Sequence, residues 1–394
     1  MSFGADPPGP PLPAVAPSEG LGERRASWLE LFFDLVFVVA VAALAAQLHS
    51  DHSVSGLAVF AGLFVPVWWA WMGYTWYATT FDNDGPVFRM GMLAGMLATA
   101  ALSSGVAGAA SRDSQTFVIA YACLFYILSA LYAWAWLRVP EARGLSARFT
   151  IGNAIGATLW LSSLALDETR RPFVWAAAML LLITTFVFGG WEKIATALRP
   201  FDPKHVAERY GLFTIVVLGE SVVVTVAGLD TGARFAAVLV AVLGFVLAAT
   251  VWWLYFGLFA SMPVAHGVGG RFVWAQGHFL VFAGIAAAAV GVEFAVEAAA
   301  LGAALTPADR LPLAAGLAAY MAAMAAIRAA NRSVDRIVMM RLTTAGIVLA
   351  LGLAGLGLGP LAFVAIVAAL LVGEAVIELM RRRAASPATA VQSH

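Results

Sequence analysis

The sequence predicts an all-α integral membrane bundle of about twelve transmembrane helices, arranged as two parallel six-helix repeats. Three observations carry this expectation. Apolar residues make up 62% of the chain and charged residues only 12%, where soluble domains hold about 25% charged residues. Successive apolar runs reach or approach the roughly 20 residues that a helix needs to cross about 30 Å of hydrocarbon. Text from the first half also recurs in the second. Leu31-Phe32-Phe33-Asp34-Leu35-Val36-Phe37 is echoed by Gly211-Leu212-Phe213-Thr214-Ile215-Val216-Val217, Val67-Trp68-Trp69 by Val251-Trp252-Trp253, and Ala94-Gly95 by Ala283-Gly284, at offsets that grow from 180 to 184 to 189 residues.

Residues 1–23 are rich in Pro, Gly and Ala and lack Lys and Arg, which predicts a disordered tail and not a signal peptide. The first repeat, residues 24–200, has apolar runs near Trp28–Leu48, Val54–Thr79, Phe88–Ala110, Phe117–Leu137, Phe149–Leu166 and Phe173–Trp191. The second repeat, residues 201–383, has them near Tyr210–Gly228, Ala233–Met262, Phe272–Ala300, Leu311–Ala330, Leu342–Leu358 and Leu361–Met380. Polar or Gly/Pro breaks separate the runs, and the last two are divided only by Gly359-Pro360. Residues 384–394 form a second disordered tail.

Charge distribution sets the orientation. With twelve spans, Arg112, Arg170, Arg171, Arg234 and Arg310 fall on one side, and the other eighteen of the 23 basic residues fall on the opposite side. The positive-inside rule then places both termini in the cytoplasm of a multi-pass plasma-membrane protein. Six spans per repeat is an even number, so the halves enter the membrane in the same direction. Lys plus Arg equal Asp plus Glu, and nothing points to a nucleic-acid partner. The lipid bilayer and an unidentified small solute or ion are the expected partners, and the sequence leaves the oligomeric state open. Cys123, the single cysteine, excludes an intramolecular disulfide and a multi-cysteine metal site.

An intramembrane carboxylate costs roughly 2.5 to 3.5 kcal/mol on insertion scales, so acids within the runs are the natural candidates for function. Glu220 lies about ten residues into the seventh run and is read as the central titrating group, against the bland reading of a hydrogen-bonded structural carboxyl. Glu30 and Asp34, four residues apart, share one face of the first helix. An ion pair with Arg24, Arg25 or Arg89 would make them architectural. His278 lies early in the ninth run and titrates near neutral pH in its unperturbed state; packing is its alternative role. Glu293, with Glu297 beyond it, sits on the later, external part of that run. The turn Phe81-Asp82-Asn83-Asp84-Gly85-Pro86 leads to Arg89, making Asp82, Asp84, Arg89 and Glu293 polar gate candidates. Later ligands of a calcium loop are missing after Asp84, so no metal site is read there. Small-residue spacings at Gly91 and Gly95, Gly152 and Gly156, and Gly277, Gly284 and Gly291 predict close helix approach. Glu374 and Glu378 precede Arg381 to Arg383 and are expected to pair locally. No Walker loop, GxSxG elbow, dinucleotide fingerprint or HExxH motif occurs, and the chain reads as a non-enzyme without a cofactor.

These residues resemble the bacterial low temperature requirement protein A family. The resemblance rests on Trp28-Leu29-Glu30-Leu31-Phe32-Phe33-Asp34-Leu35-Val36-Phe37, on Phe81-Asp82-Asn83-Asp84, on His205 with Glu208-Arg209-Tyr210-Gly211-Leu212-Phe213, and on Leu218-Gly219-Glu220-Ser221. Trp252-Trp253-Leu254-Tyr255-Phe256, His278 and Gly291-Val292-Glu293 extend it to about residue 300. Thr79-Thr80 and Gly257 depart from it, the latter standing where an acid often follows the Trp-Trp-Leu-Tyr-Phe run. The family name describes growth in the cold, so the resemblance implies a fold more than an activity. The residues themselves favour a proton-linked secondary transporter. An ion channel, or a non-transporting membrane sensor active in cold adaptation, is the alternative.

Overall fold

The computed structural model describes residues 14–15, 26–82, 85–111, 113–188, 203–229, 234–259, 268–332 and 334–385. Helices dominate them, and the only extended pairing among them is a two-residue antiparallel one, Ala14 opposite Asp82 and Val15 opposite Phe81. The first six long helices are α1 (Trp28–Ser50), α2 (Val54–Thr80), α3 (Pro86–Ser104), α4 (Gln115–Arg138), α5 (Arg143–Ser162) and α6 (Arg171–Phe188), with a short helix at Val106–Ala110. The remainder are α7 (Pro203–Ala227), α8 (Phe235–Phe259), α9 (Val268–Leu301), α10 (Pro307–Arg332), α11 (Arg336–Ala354) and α12 (Pro360–Ala385).

Ten helices among the described residues are long and apolar enough to cross a membrane: α1 to α4 and α7 to α12. The expected fifth and sixth spans do not meet that standard. α5 carries Arg143, Arg148 and Asn153 among its twenty residues, which dilutes its apolar character. In α6 the apolar stretch Arg171–Val187 is too short. The outward faces of the other helices suit hydrocarbon. Leu97 is 75% exposed and Phe245 58%, a burden for a water-soluble surface and a fit to lipid.

Local chemistry sets the helix ends. α1 starts with a reciprocal capping box: Glu30 N donates to Ser27 Oγ at 3.2 Å, and Ser27 N donates to Glu30 Oε2 at 2.8 Å. Thr306 and Asp309 do the same for α10. Pro86 and Pro360 open α3 and α12, where a missing N–H is harmless. Asp335 caps α11 by accepting from Ile337 N and Val338 N. The other end of α11 closes at Gly355, whose φ of +68° belongs to the left-handed region. Buried Arg310 binds there as well, donating to the Gly352 carbonyl.

The chain forms two compact units, Met1–Ala43 with Val65–Arg209, and Leu44–Phe64 with Tyr210–His394. In the first, Gly91 faces Leu131, Gly95 faces Tyr74, and Gly152 and Gly156 face Thr185 and Leu182. Tyr74 and Tyr77 reach across to donate to the Leu124 and Leu131 carbonyls. Trp160 packs against Tyr121 and Trp175 at centroid distances of 4.3 and 5.0 Å, within the range of favourable aromatic pairs. In the second unit α9 lies directly on α10. A Cβ on Gly284 would come within 2.5 Å of the Gly316 carbonyl, and one on Gly291 within 2.2 Å of Leu313 N. The expected close approach at this stripe is therefore real and backbone-deep.

Candidate functional site

The first turns of α1 and α7 build an ionic cluster inside the first unit. Glu30 and Asp34 stand one helical turn apart on α1, and His205 and Arg209 stand one turn apart on α7, so two i,i+4 pairs present complementary faces. Arg209 spans both acids: Nη1 lies 3.0 Å from Glu30 Oε1 and Nη2 lies 2.7 Å from Asp34 Oδ1. Trp71 Nε1 on α2 donates to the same Asp34 oxygen at 2.9 Å. His205 Nε2 is 3.5 Å from Glu30 Oε1, close enough for an ion pair but not an aligned hydrogen bond. Asp34, His205 and Arg209 are all fully buried. Glu30 adds its capping bonds to Ser27, and Ala26 N donates to Glu208 Oε2 at 3.3 Å, securing the chain before α1 to α7. Asp34 Oδ2, Arg209 Nε and both ring nitrogens of His205 have no hydrogen-bond partner among the described residues. The cluster thus has hydrogen-bonding capacity left over in a buried setting, where such capacity is costly.

Arg209 is the arginine that the described residues bring to the two acids. Arg24 and Arg25 lie outside the described residues, as does Asp84. Arg89 is on an exposed face of α3. Asp82 contributes its backbone to the pairing with Ala14.

His278 is fully buried in the second unit with both ring nitrogens in use. Its Nδ1 is 2.6 Å from the Trp274 carbonyl, which can only accept, so Nδ1 carries a proton; Nε2 is hydrogen-bonded to Tyr255 Oη at 3.1 Å. The rings of Tyr210 and Trp274 pack on it at 4.8 and 4.6 Å. The imidazole is held through both ring nitrogens. Glu220 is half-buried on α7 in the same unit, beside buried Leu218 and Ser221. A small cavity of about 30 Å³ is lined by Leu218, Ser221 and Thr225 without Glu220, room for about one water. Glu293 lies near the end of α9, with His49 Nδ1 3.1 Å away.

A second buried cluster joins α11 and α12. Arg341 is fully buried, 2.8 Å from Glu378 Oε2 and 3.6 Å from Glu374 Oε1. Glu378 also accepts from Arg382 at 2.6 Å, the local pair expected there. Arg382 donates in turn to the Gly257 carbonyl, so a side chain at position 257 would stand beside this guanidinium. Reading charge by loops counts both Arg209 and Arg341 as interfacial and misses them. The signal that could have found them is spacing, since His205-x-x-x-Arg209 matches Glu30-x-x-x-Asp34.

Comparison with known proteins agrees with this picture. A protein of Rhizobium meliloti (strain 1021), described as uncharacterized, is 27% identical over 296 residues covering 71% of each chain. No solved structure matches. Residues 25–373 match the family described as bacterial low temperature requirement A protein (LtrA), a span that includes the Glu30, Asp34, His205 and Arg209 cluster and Arg341 of the second cluster, and ends within α12 just before Glu374. The chain is a polytopic membrane protein that belongs to the LtrA family.

Proposed function

We propose that this protein is a proton-linked secondary transporter of a small solute or ion, with the Asp34, Glu30, Arg209 and His205 cluster as its coupling group. The observation that carries the reading is a charge count. Among the described residues two fully or nearly fully buried carboxylates face one guanidinium, so this set becomes neutral on gaining one proton or one monovalent cation. An uncompensated intramembrane charge is expensive, and a site that is neutral in one loading state and charged in another is the physical basis of coupled transport. His205 beside Glu30 offers a second place for that proton. His278, with both nitrogens engaged, acts in this reading as a packing residue, and Glu220 stays a second titrating candidate on α7.

The same reading counts α5 and α6 as spans, giving twelve in two parallel sets of six with both termini cytoplasmic, in keeping with the eighteen-to-five division of basic residues. The cluster, within the first turns of α1, then lies toward the cytoplasm.

Wild-type, Asp34→Asn and Glu220→Gln proteins in liposomes that hold a pH-reporting dye, challenged with a panel of amino acids, sugars, organic cations and monovalent ions, test the assignment. One solute should drive a saturable pH change with wild type and none with Asp34→Asn. Undiminished pH-linked flux through folded Asp34→Asn would remove the cluster from the coupling role. Its loss in Glu220→Gln alone would move that role to Glu220.

A further inference from the structure

A second group of titratable side chains lies at the far end of α1, away from the candidate coupling residues and wholly inside the second unit. His49 is the penultimate residue of α1, and Glu293 and Glu297 stand one turn apart near the end of α9. His49 Nδ1 is 3.1 Å from Glu293 Oε2, and its Nε2 is 3.7 Å from Glu297 Oε1. One ligand atom from each of the three residues can be chosen so that all lie within 4.8 Å of one another. We propose that His49, Glu293 and Glu297 bind one divalent transition cation of the zinc class.

Four features support the site. First, two carboxylates one turn apart on one helix repel each other, and the described residues place no Lys or Arg in an ion pair with either. A dication balances both. Second, His49 Nδ1 and Glu293 Oε2 lie 3.1 Å apart. Metal–ligand bonds of about 2.0 to 2.2 Å put neighbouring ligands of a tetrahedral zinc ion roughly 3.3 Å apart, so this N and O are spaced to share one metal. Third, one imidazole with two carboxylates is a donor set of intermediate softness, which takes zinc or its first-row neighbours in preference to magnesium or calcium. Fourth, the residues are accessible without being loose. The side chains of His49, Glu293 and Glu297 are 35%, 15% and 33% exposed, leaving an open coordination position for water.

Neighbouring groups are already occupied. His52 Nδ1 is held by Asp309 Oδ1 at 3.0 Å, with the Phe294 ring packed 4.0 Å from that of His52. Asp309 Oδ2 is used in the Thr306 cap, and Asp51 accepts from Ser53. These contacts frame the three ligands and leave them as the accessible donors.

The test uses the full chain, purified in detergent, stripped with a chelator and titrated with zinc chloride. One saturable equivalent is expected, with affinity falling roughly tenfold or more in His49→Gln and in Glu297→Gln. Uptake by the triple variant His49→Gln/Glu293→Gln/Glu297→Gln equal to that of wild type would overturn the proposal, as would no uptake by wild type. Carbethoxylation of histidines in the wild-type protein, mapped by mass spectrometry, supplies a readout that needs no variant. Zinc should protect His49, and equal modification with and without zinc refutes the site. Neither readout involves flux, so the result stands apart from the transport reading.

Discussion

Replacing Arg209 by Met tests the charge count directly. The change keeps an unbranched, largely apolar stem and removes the guanidinium from between Glu30 and Asp34, which it contacts at 3.0 and 2.7 Å in a fully buried position. Breaking one partner out of a buried ion pair costs about 3 to 5 kcal/mol, because the remaining charge is stranded. Here one guanidinium serves two carboxylates, which places the expected loss toward the upper end. At roughly 2 to 4 °C per kcal/mol for a body of 150 to 250 residues, the apparent unfolding midpoint should fall by about 6 to 20 °C.

Asp34→Asn makes the opposite change. It removes the surplus negative charge, retains an oxygen for Trp71 Nε1 to donate to, and leaves Glu30 paired with Arg209. A lost charge-assisted hydrogen bond is offset by the desolvation that the neutral amide avoids, so stability should stay within about 1 kcal/mol of wild type. Fluorescence-monitored thermal unfolding of both variants in one detergent at neutral pH reads the contrast, and the double variant closes a cycle for the pair. The Arg209→Met deficit should also shrink on acidification, since protonated acids need no counter-charge. If Asp34→Asn proves as damaging as Arg209→Met, the cluster carries no surplus charge and the coupling argument built on it fails.

Other expectations follow from single contacts. Gly291→Ala drives a Cβ to 2.2 Å from Leu313 N and should destabilise by about 1 to 3 kcal/mol through overpacking, seen as a lower midpoint; Gly269→Ala, with open space around it, is the matched control. Asp335 sits outside the spans, and the hydrogen bond from Arg328, outweighing burial, lowers its pKa to about 2. Because the folded value is depressed, its contribution is complete above the usual carboxylate value near 4 and disappears as pH falls toward about 2. Asp335→Ala should therefore cost about 0.5 to 2 kcal/mol at pH 6 and progressively less in acid, and a deficit unchanged by pH would contradict this. In a Cys123→Ser background, cysteines at positions 143, 204 and 332 should resist an impermeant thiol reagent applied to intact cells, and labelling of any of them from outside would overturn the proposed orientation.

Much of the helical layout was legible because its causes are local. A run long enough to cross hydrocarbon is a property of its own residues, so α1 to α4 and α8 to α10 lie close to where their apolar runs predict them. Boundaries slipped where a charge enters a helix. The run near Leu342–Leu358 belongs to a helix that begins at Arg336 and stops at Gly355, since Asp335 caps its start and the left-handed glycine ends it. α5 likewise begins at Arg143, six residues before the apolar text. The candidate site was half legible. Glu30 and Asp34 announce themselves as acids in an apolar helix, whereas their partner is 175 residues away from Asp34 and looks like an ordinary interfacial arginine. His278 shows the converse. A histidine in an apolar run suggests titration, but the Trp274 carbonyl one turn back and the Tyr255 hydroxyl on another helix use up both nitrogens, and only tertiary packing reveals that.

The two buried arginines separate a structural role from a working one. Arg341 and Arg209 are alike in burial and in facing two acids one turn apart on a neighbouring helix. Their surroundings differ in the count. Glu374 and Glu378 meet Arg341 and also Arg382, which anchors itself on the Gly257 carbonyl, so two negative charges face two positive ones and no further ion is called for. A balanced set of this kind fixes α12 against α11 and α8. Among the described residues Glu30 and Asp34 pair with the single guanidinium of Arg209, and the other basic group paired there is His205, whose charge depends on a proton. If the difference is functional, neutralising one acid should have opposite consequences in the two places. Glu378→Gln leaves two guanidinium groups facing one carboxylate and should destabilise, while Asp34→Asn leaves one facing one and should not.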